Sequence, residues 1–180
     1  MLRIYLLLCC SLFSFAVIAD DDVWLLVDTK ALTIEVKKGM QTLETINDIA
    51  IGRGGAGFKS HQGDNVTPFG SYRIGWVGES SSFRKFFGLT YPSAEDAQKA
   101  LEEGVINQVA YNSIITAHRF HQVPPQNTPL GGRIGIHGLG RADEKIHKSM
   151  NWTHGCIALT NGQIDHLSQW LDKGTVVKIK

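Results

Sequence analysis

Short β-branched apolar runs broken by polar turns dominate the first third of the chain, and such runs predict strands. Residues 23–27 (Val-Trp-Leu-Leu-Val) and 31–36 (Ala-Leu-Thr-Ile-Glu-Val) flank the turn-like Asp28-Thr29-Lys30, so a hairpin is expected. Residues 44–52 and 70–77 predict two further strands, joined by the glycine-rich polar stretch 53–65. The pattern then changes. Ser93 followed by Asp96 forms a capping-box signature, Ala97, Ala100 and Leu101 make an apolar stripe, and Gly104 stops it, which predicts a helix. That helix lies in a segment of about residues 79–132, rich in Ser, Asn, Pro and Gly, read as one long connection able to form a lid or binding wall.

Towards the end of the chain Ile134 and Ile136 alternate with Arg133, Gly135 and His137. A strand here carries Arg133 and His137 on one face. Asn161 is placed to cap a helix running to about Lys173, with Ile164, Leu167 and Leu171 buried and Gly174 at the stop; residues 175–180 form a closing strand. No repeat or linker interrupts the pattern, so one β-rich domain over residues 20–180 is expected.

The first nineteen residues have a different character. Arg3 precedes the apolar stretch 4–18, and Val17-Ile18-Ala19 precedes Asp20, the pattern of a secretory signal peptide over residues 1–19. Its removal takes Lys plus Arg from 18 to 17 against 17 Asp plus Glu, a formal charge near zero. No basic run interleaved with aromatics occurs, so a nucleic-acid partner is not expected. Export to the periplasm makes the cysteine count informative. Cys9 and Cys10 lie in the leader, and Cys156 alone remains. In an oxidising compartment a leftover cysteine is a free reactive thiol or half of an intermolecular bridge.

Thr153-His154-Gly155-Cys156 reads as the setting of a nucleophile. A cysteine nucleophile needs a base and donors for the oxyanion formed on acyl attack. His137 is the base candidate. Gly138 permits close backbone approach, so its carbonyl is placed to orient the imidazole. The amides of Gly155 and Cys156 are oxyanion-hole candidates, and His154 is a candidate for positioning substrate or sharing proton traffic. Three plainer readings compete with this one. Cys156 as a small buried apolar residue leaves the flanking motif unexplained. Zinc ligation by His137, His154 and Cys156 lacks a familiar spacing and a fourth ligand, so no metal and no cofactor is expected. His61, His118, His121, His147 and His166 read as surface or hydrogen-bonded residues.

His137, fifteen intervening residues, and then Thr153-His154-Gly155-Cys156-Ile157 resemble the signature of the L,D-transpeptidase (YkuD-type) catalytic domain. A second block, Thr67-Pro68-Phe69-Gly70-Ser71-Tyr72, is similar to that family's Thr-Pro-x-Gly-x-aromatic segment, and the likeness spans residues 23–180. The resemblance implies a mainly β fold of mixed sheets, or a β-sandwich, with a few short helices. It implies peptidoglycan stem peptides as substrate, with the cysteine attacking the diaminopimelate carbonyl and an amine acceptor completing a cross-link. Hydrolysis of the same acyl-enzyme, by an L,D-carboxypeptidase or an amidase releasing an attached protein, is the close alternative. An outer-membrane lipoprotein is then an expected acceptor or leaving group. A non-catalytic peptidoglycan- or zinc-binding module is a more distant one.

Carried over by position, Cys156 is the nucleophile, His137 the base, Gly138 the carbonyl orienter, and His154 with Gly155 the rest of the hole. Thr153, Arg133, Asn161 and Trp152 are the substrate-binding candidates; for Trp152, packing beneath the loop is the alternative. One departure stands out. Many family members place arginine or asparagine two positions after the cysteine, where this chain has Ala158. Arg133 is expected to supply the missing charge. Tyr111, Arg119 and Phe120 are further candidates for a substrate wall, and Arg141 and Lys145 for meeting acidic stem-peptide groups.

Overall fold

The computed structural model describes residues 22–80 and 82–180; the expected signal peptide over 1–19 lies outside the described residues. The first three strands, β1 (Val23–Asp28), β2 (Thr33–Lys38) and β3 (Gln41–Ile46), form an antiparallel meander. Leu25 and Val27 pair with Val36 and Ile34, and all four are fully buried, as the period-2 pattern requires. The β1–β2 turn is longer than the sequence indicates. The carboxylate of Asp28 accepts the amides of Lys30 and Ala31 at 3.0 and 2.9 Å, and this local turn delays the second strand to Thr33.

The strand expected over 44–52 is β3 shifted towards the N-terminus. Beyond Ile46 the chain turns away and runs beside the cysteine loop, with bridges from Ala50 to Ala158 and from Gly52 to Thr153. Two short parallel strands, β4 (Ala56–Gly57) and β5 (Thr67–Pro68), close the glycine-rich loop.

The segment read as one long connection holds core structure. Strand β6 (Gly70–Ser80) continues past Glu79 and turns back as β7 (Arg84–Leu89), which pairs with both β6 and β8 (Gly135–Gly138). The expected helix is α1 (Ala94–Glu102), with its capping box between Ser93 and Asp96 formed. A second helix, α2 (Gln108–Arg119), capped by Asn107, packs beside it and buries Ile114 and Ala117. Mostly polar side chains cover the rest of α2, and this hides its apolar stripe in the sequence.

After β8 come the short α3 (Glu144–Ser149), β9 (Ile157–Leu159), α4 (Asn161–Leu167) and β10 (Val176–Ile179). The last helix is capped by Thr160, not Asn161, and ends at Leu167 in a 3-10 turn, Ser168–Trp170, short of Lys173. All the longer strands join one mixed eight-stranded sheet in the order β3-β2-β1-β10-β6-β7-β8-β9. The fold is mainly β with few short helices, as expected, and its two sheet halves meet on β6. Ile136, Ile157, Leu159, Ile164 and Leu167 are fully buried where α4 covers β8; each contributes about 1.5–3 kcal/mol by leaving water. That packing holds the strand ends that carry His137 and Cys156.

Candidate active site

Parallel pairing of β8 with β9 sets His137 opposite Ala158. Cys156 lies two residues before Ala158, so side-chain alternation directs it to the same sheet face as His137. The histidine is 3 % exposed and enclosed by aromatic rings. Phe83 lies 4.7 Å from it centroid to centroid, Phe86 stacks nearly parallel at 6.0 Å, and Trp152 meets it edge-on at 6.2 Å. Its Nδ1 is 2.7 Å from the Gly138 carbonyl oxygen, as anticipated. A carbonyl only accepts, so Nδ1 carries the proton and Nε2 keeps a lone pair. Burial lowers the His137 pKa below the ordinary 6.5, the hydrogen bond to Gly138 opposes this, and nearby His147 lowers it further. The ring is a neutral base at physiological pH.

Gly138 has no room for a side chain: a Cβ there would sit 2.6 Å from Ile164 and 3.0 Å from the Asn161 amide oxygen. Asn161 is the first residue of α4, and its amide grips Gly140 from both sides, accepting from the Gly140 N–H and donating to its carbonyl, each at 2.8 Å. The residue expected as a helix cap and substrate contact thus fixes the turn that follows His137.

Cys156 is half-buried and is the free cysteine of the described chain. Burial pushes its thiol up to about 11, against the smaller opposing effects of the Gly135 backbone amide and the Lys59 ammonium. The Sγ–H turns to the Arg133 carbonyl at 3.5 Å. The pair at rest is therefore a neutral thiol and a neutral imidazole. Thr153 staples the loop: its hydroxyl donates to the Cys156 carbonyl at 2.6 Å and accepts the Gly155 amide at 3.2 Å. That bond commits one of the two amides expected for an oxyanion hole to bracing. Gly155 itself has φ +122°, and a Cβ there would lie 2.8 Å from the Val66 carbonyl. Only glycine fits between the 53–66 loop and Cys156.

Arg133 departs from expectation. It precedes β8, adopts φ +56°, and donates its amide to Gln126 Oε1 at 2.6 Å, so strand alternation does not put it on the His137 face. Its side chain instead lines a cavity of about 580 Å³ together with Arg53, Lys59, Gln126 and His154. Trp152 packs against His137, and its indole N–H points to His147 Nδ1 at 3.5 Å. Tyr111, Arg119 and Phe120, on or just after α2, do not line that cavity. Arg141 and Lys145 are exposed; Arg141 lines a second cavity with Gly140 and Asn161.

Sequence reasoning missed four contributors. Phe83 and Phe86 were hidden inside the supposed connection. Lys59 is buried beside Cys156 and paired with Asp64, with a further bond to the Val66 carbonyl at 3.3 Å. His147, in α3, is 4 % exposed, and its Nε2 has no hydrogen-bond partner among the described residues. Only the Phe-rich run Phe83-Arg84-Lys85-Phe86-Phe87 carried a visible signal. Among the described residues no group of three or more His, Cys, Asp or Glu side chains is arranged to hold a metal ion, and no helix is long and apolar enough to cross a membrane.

The family description of the L,D-transpeptidase catalytic domain matches residues 22–179. Among solved structures, the fold is similar to the helical cell shape determining protein Pgp2 of Campylobacter jejuni, with TM-score 0.61 and 24 % identity over 89 % of this chain and 48 % of that one. It is similar to Bd1075 of Bdellovibrio bacteriovorus, with TM-score 0.57 and 17 % identity over 90 % of this chain and 49 % of that one. An L,D-transpeptidase of Stackebrandtia nassauensis aligns with TM-score 0.52 and 13 % identity, over 90 % of this chain and 57 % of the other. The chain therefore spans about half the length of these relatives. No curated protein matches it.

Proposed function

The chain belongs to the L,D-transpeptidase catalytic domain family, and on that premise we propose a periplasmic cysteine acyltransferase acting on peptidoglycan stem peptides. The observation that carries the reading is the His137 tautomer. With Nδ1–H held by Gly138, the bare Nε2 is the atom able to take the thiol proton. The family match supports the substrate class, and the reading of residues 1–19 as a secretory leader supports the compartment.

In the first step the Cys156 Sγ–H proton passes to His137 Nε2 as sulfur bonds to the diaminopimelate carbonyl carbon. The Cys156 amide is the donor we assign to the resulting oxyanion. Collapse breaks the carbon–nitrogen bond, the departing D-alanine amine takes the proton from Nε2, and a thioester remains. In the second step an amine attacks the thioester, loses its proton through His137, and the thiol is restored. Water in place of the amine gives hydrolysis.

Sγ rests on the Arg133 carbonyl, so substrate binding must free it to turn to His137. Catalytic hydrogen bonds are commonly loose before substrate arrives. Mass spectrometry of muropeptides incubated with wild type and Cys156→Ala tests the proposal. A dimer bridged through diaminopimelate, formed by wild type alone, supports transfer. Tripeptide or a freed protein–peptide bond without dimer assigns the hydrolytic course, including release of an attached lipoprotein. No difference between the two proteins overturns the reading.

A further inference from the structure

The cavity beside Cys156 has an excess of positive charge with nothing described to balance it. Of its three cationic side chains, Lys59 is buried and neutralised by Asp64. Arg53 and Arg133 are exposed, and neither guanidinium has an ion-pair partner among the described residues. Most surface arginines can sweep a wide volume. These two stand on anchored backbone. The Arg53 amide donates to the Thr153 carbonyl at 2.9 Å, tying Arg53 to the cysteine loop. Arg133 is held by Gln126, whose side-chain amide is itself fixed to the Tyr91 and Pro124 carbonyls at 2.7 and 2.9 Å. A Cβ on the preceding Gly132 would lie 2.4 Å from the Gln126 carbonyl, so that turn is packed shut. The Arg133 carbonyl touches the nucleophile, so its side chain springs from within one residue of the reacting sulfur.

We propose that Arg53 and Arg133 form a clamp for a carboxylate of the acyl-donor peptide, making a free acid near the scissile carbonyl the specificity determinant of this site. The inference rests on the acyl-transfer reading of Cys156 and adds which substrates the site selects. Guanidinium groups suit the task because their planar donors engage a carboxylate in bidentate fashion. Placing two of them on fixed backbone reduces the ordering cost of binding. The clamp also accounts for Ala158. The charge that the family resemblance expects after the cysteine is supplied here from two loops that line this cavity.

A stem tetrapeptide offers two such acids, the diaminopimelate side-chain carboxylate, which stays in the thioester, and the terminal D-alanine carboxylate, which leaves. The test compares the free peptide with peptides amidated at one or the other position, for wild type, Arg53→Gln, Arg133→Gln and the double variant. Thioester formation on Cys156 is followed by intact-protein mass, and kcat and KM by release of the amine. One amidation is expected to lower wild-type kcat/KM at least tenfold, mostly through KM, and its position identifies the bound acid. The double variant should treat the free acid and that amide alike. Wild type acylating all three peptides equally well overturns the clamp while leaving the acyl-enzyme intact. So does a double variant that loses rate but keeps the wild-type preference. Absence of any adduct with wild type overturns the acyl-transfer reading itself, and the clamp with it.

Discussion

His137 donates its Nδ1–H to the carbonyl of the very next residue, Gly138, at 2.7 Å. Among the described residues no carboxylate acts on this base, and burial among Phe83, Phe86 and Trp152 lowers its pKa below 6.5. The thiol is shifted the opposite way, to about 11. Both shifts favour the uncharged pair, so in the proposed mechanism proton transfer accompanies attack.

The pH–rate profile follows from those directions. Protonation of Nε2 removes the base, so kcat/KM falls with decreasing pH through a midpoint below 6.5 and stays level from there to at least pH 9. Thiolate absorbance near 240 nm should be small at pH 8 and grow towards about 11. A preformed thiolate at pH 7, detected by that absorbance or by rapid iodoacetamide labelling, would contradict the neutral pair.

Asn161 holds the turn that follows His137 through two hydrogen bonds to Gly140. Asn161→Ala removes both hydrogen bonds to Gly140, each worth about 0.5–1.5 kcal/mol. The released turn includes Gly138, the orienting carbonyl. The expected result is a loss of about 1–3 kcal/mol of stability by denaturant titration, with kcat reduced well beyond any change in KM. A variant with lower stability and unchanged kcat would show that Asn161 only braces the fold.

The candidate pairing of His137 with Cys156 could be proposed from the sequence because it depends on residue types at fixed spacing: an imidazole, a thiol, and glycines where backbone must approach. The strand pairs Leu25 with Val36 and Val27 with Ile34 were legible for the same reason, since alternation records burial directly. Three things were not. Strand β7 and helix α2 carry aromatic and polar residues in proportions that read as loop, and only tertiary pairing makes them core. The conformation of Arg133 is set by Gln126, seven residues earlier, through a side-chain bond that no local pattern announces. Lys59 lies in a stretch that reads only as glycine-rich and polar, and His147 reads as a surface or hydrogen-bonded residue; contacts of the folded chain bury both.

Lys59 and Asp64 are 3 % and 8 % exposed at their side chains, and each leaves the other uncompensated if removed. Lys59→Met should cost about 3–5 kcal/mol, the usual consequence of stranding one half of a buried pair. Adding Asp64→Leu should recover part of that loss, as read from denaturant midpoints. Because the ammonium opposes the upward shift of the thiol, Lys59→Met should also slow iodoacetamide labelling of Cys156 at pH 8. Equal labelling rates in the folded variant and wild type would confine Lys59 to structure.

His147 couples the site to acid stability. Burial lowers its folded pKa below 6.5 against the opposing pull of the Asp48 backbone and the Glu144 and Asp48 charges, and a proton added to Nδ1 would break the bond which that atom accepts from Trp152. The unfolded chain binds that proton more readily, so stability from His147 and His137 is complete above 6.5 and is lost as pH falls through their lower folded values. The melting temperature should drop between pH 7.5 and 5, and His147→Gln should make the drop shallower. An identical pH dependence in the variant would locate the acid sensitivity elsewhere.

Ala158 is 0 % exposed, paired with His137 on one side and bridged to Ala50 on the other through bonds of 2.7 and 3.0 Å. Full burial next to the imidazole strand means that an arginine at this position must displace packed neighbours. Overpacking alone costs about 1–3 kcal/mol, and an unpaired charge taken out of water adds several more. Ala158→Arg should therefore lower the melting temperature by roughly 2–4 °C for each kcal/mol lost, and disturb His137 enough to reduce kcat. An arginine at the position where the family resemblance implies arginine or asparagine would then bring no gain in KM here. A stable Ala158→Arg protein with tighter substrate binding would show instead that the strand can open, and that the charge from Arg53 and Arg133 is an addition to that position and not a substitute for it.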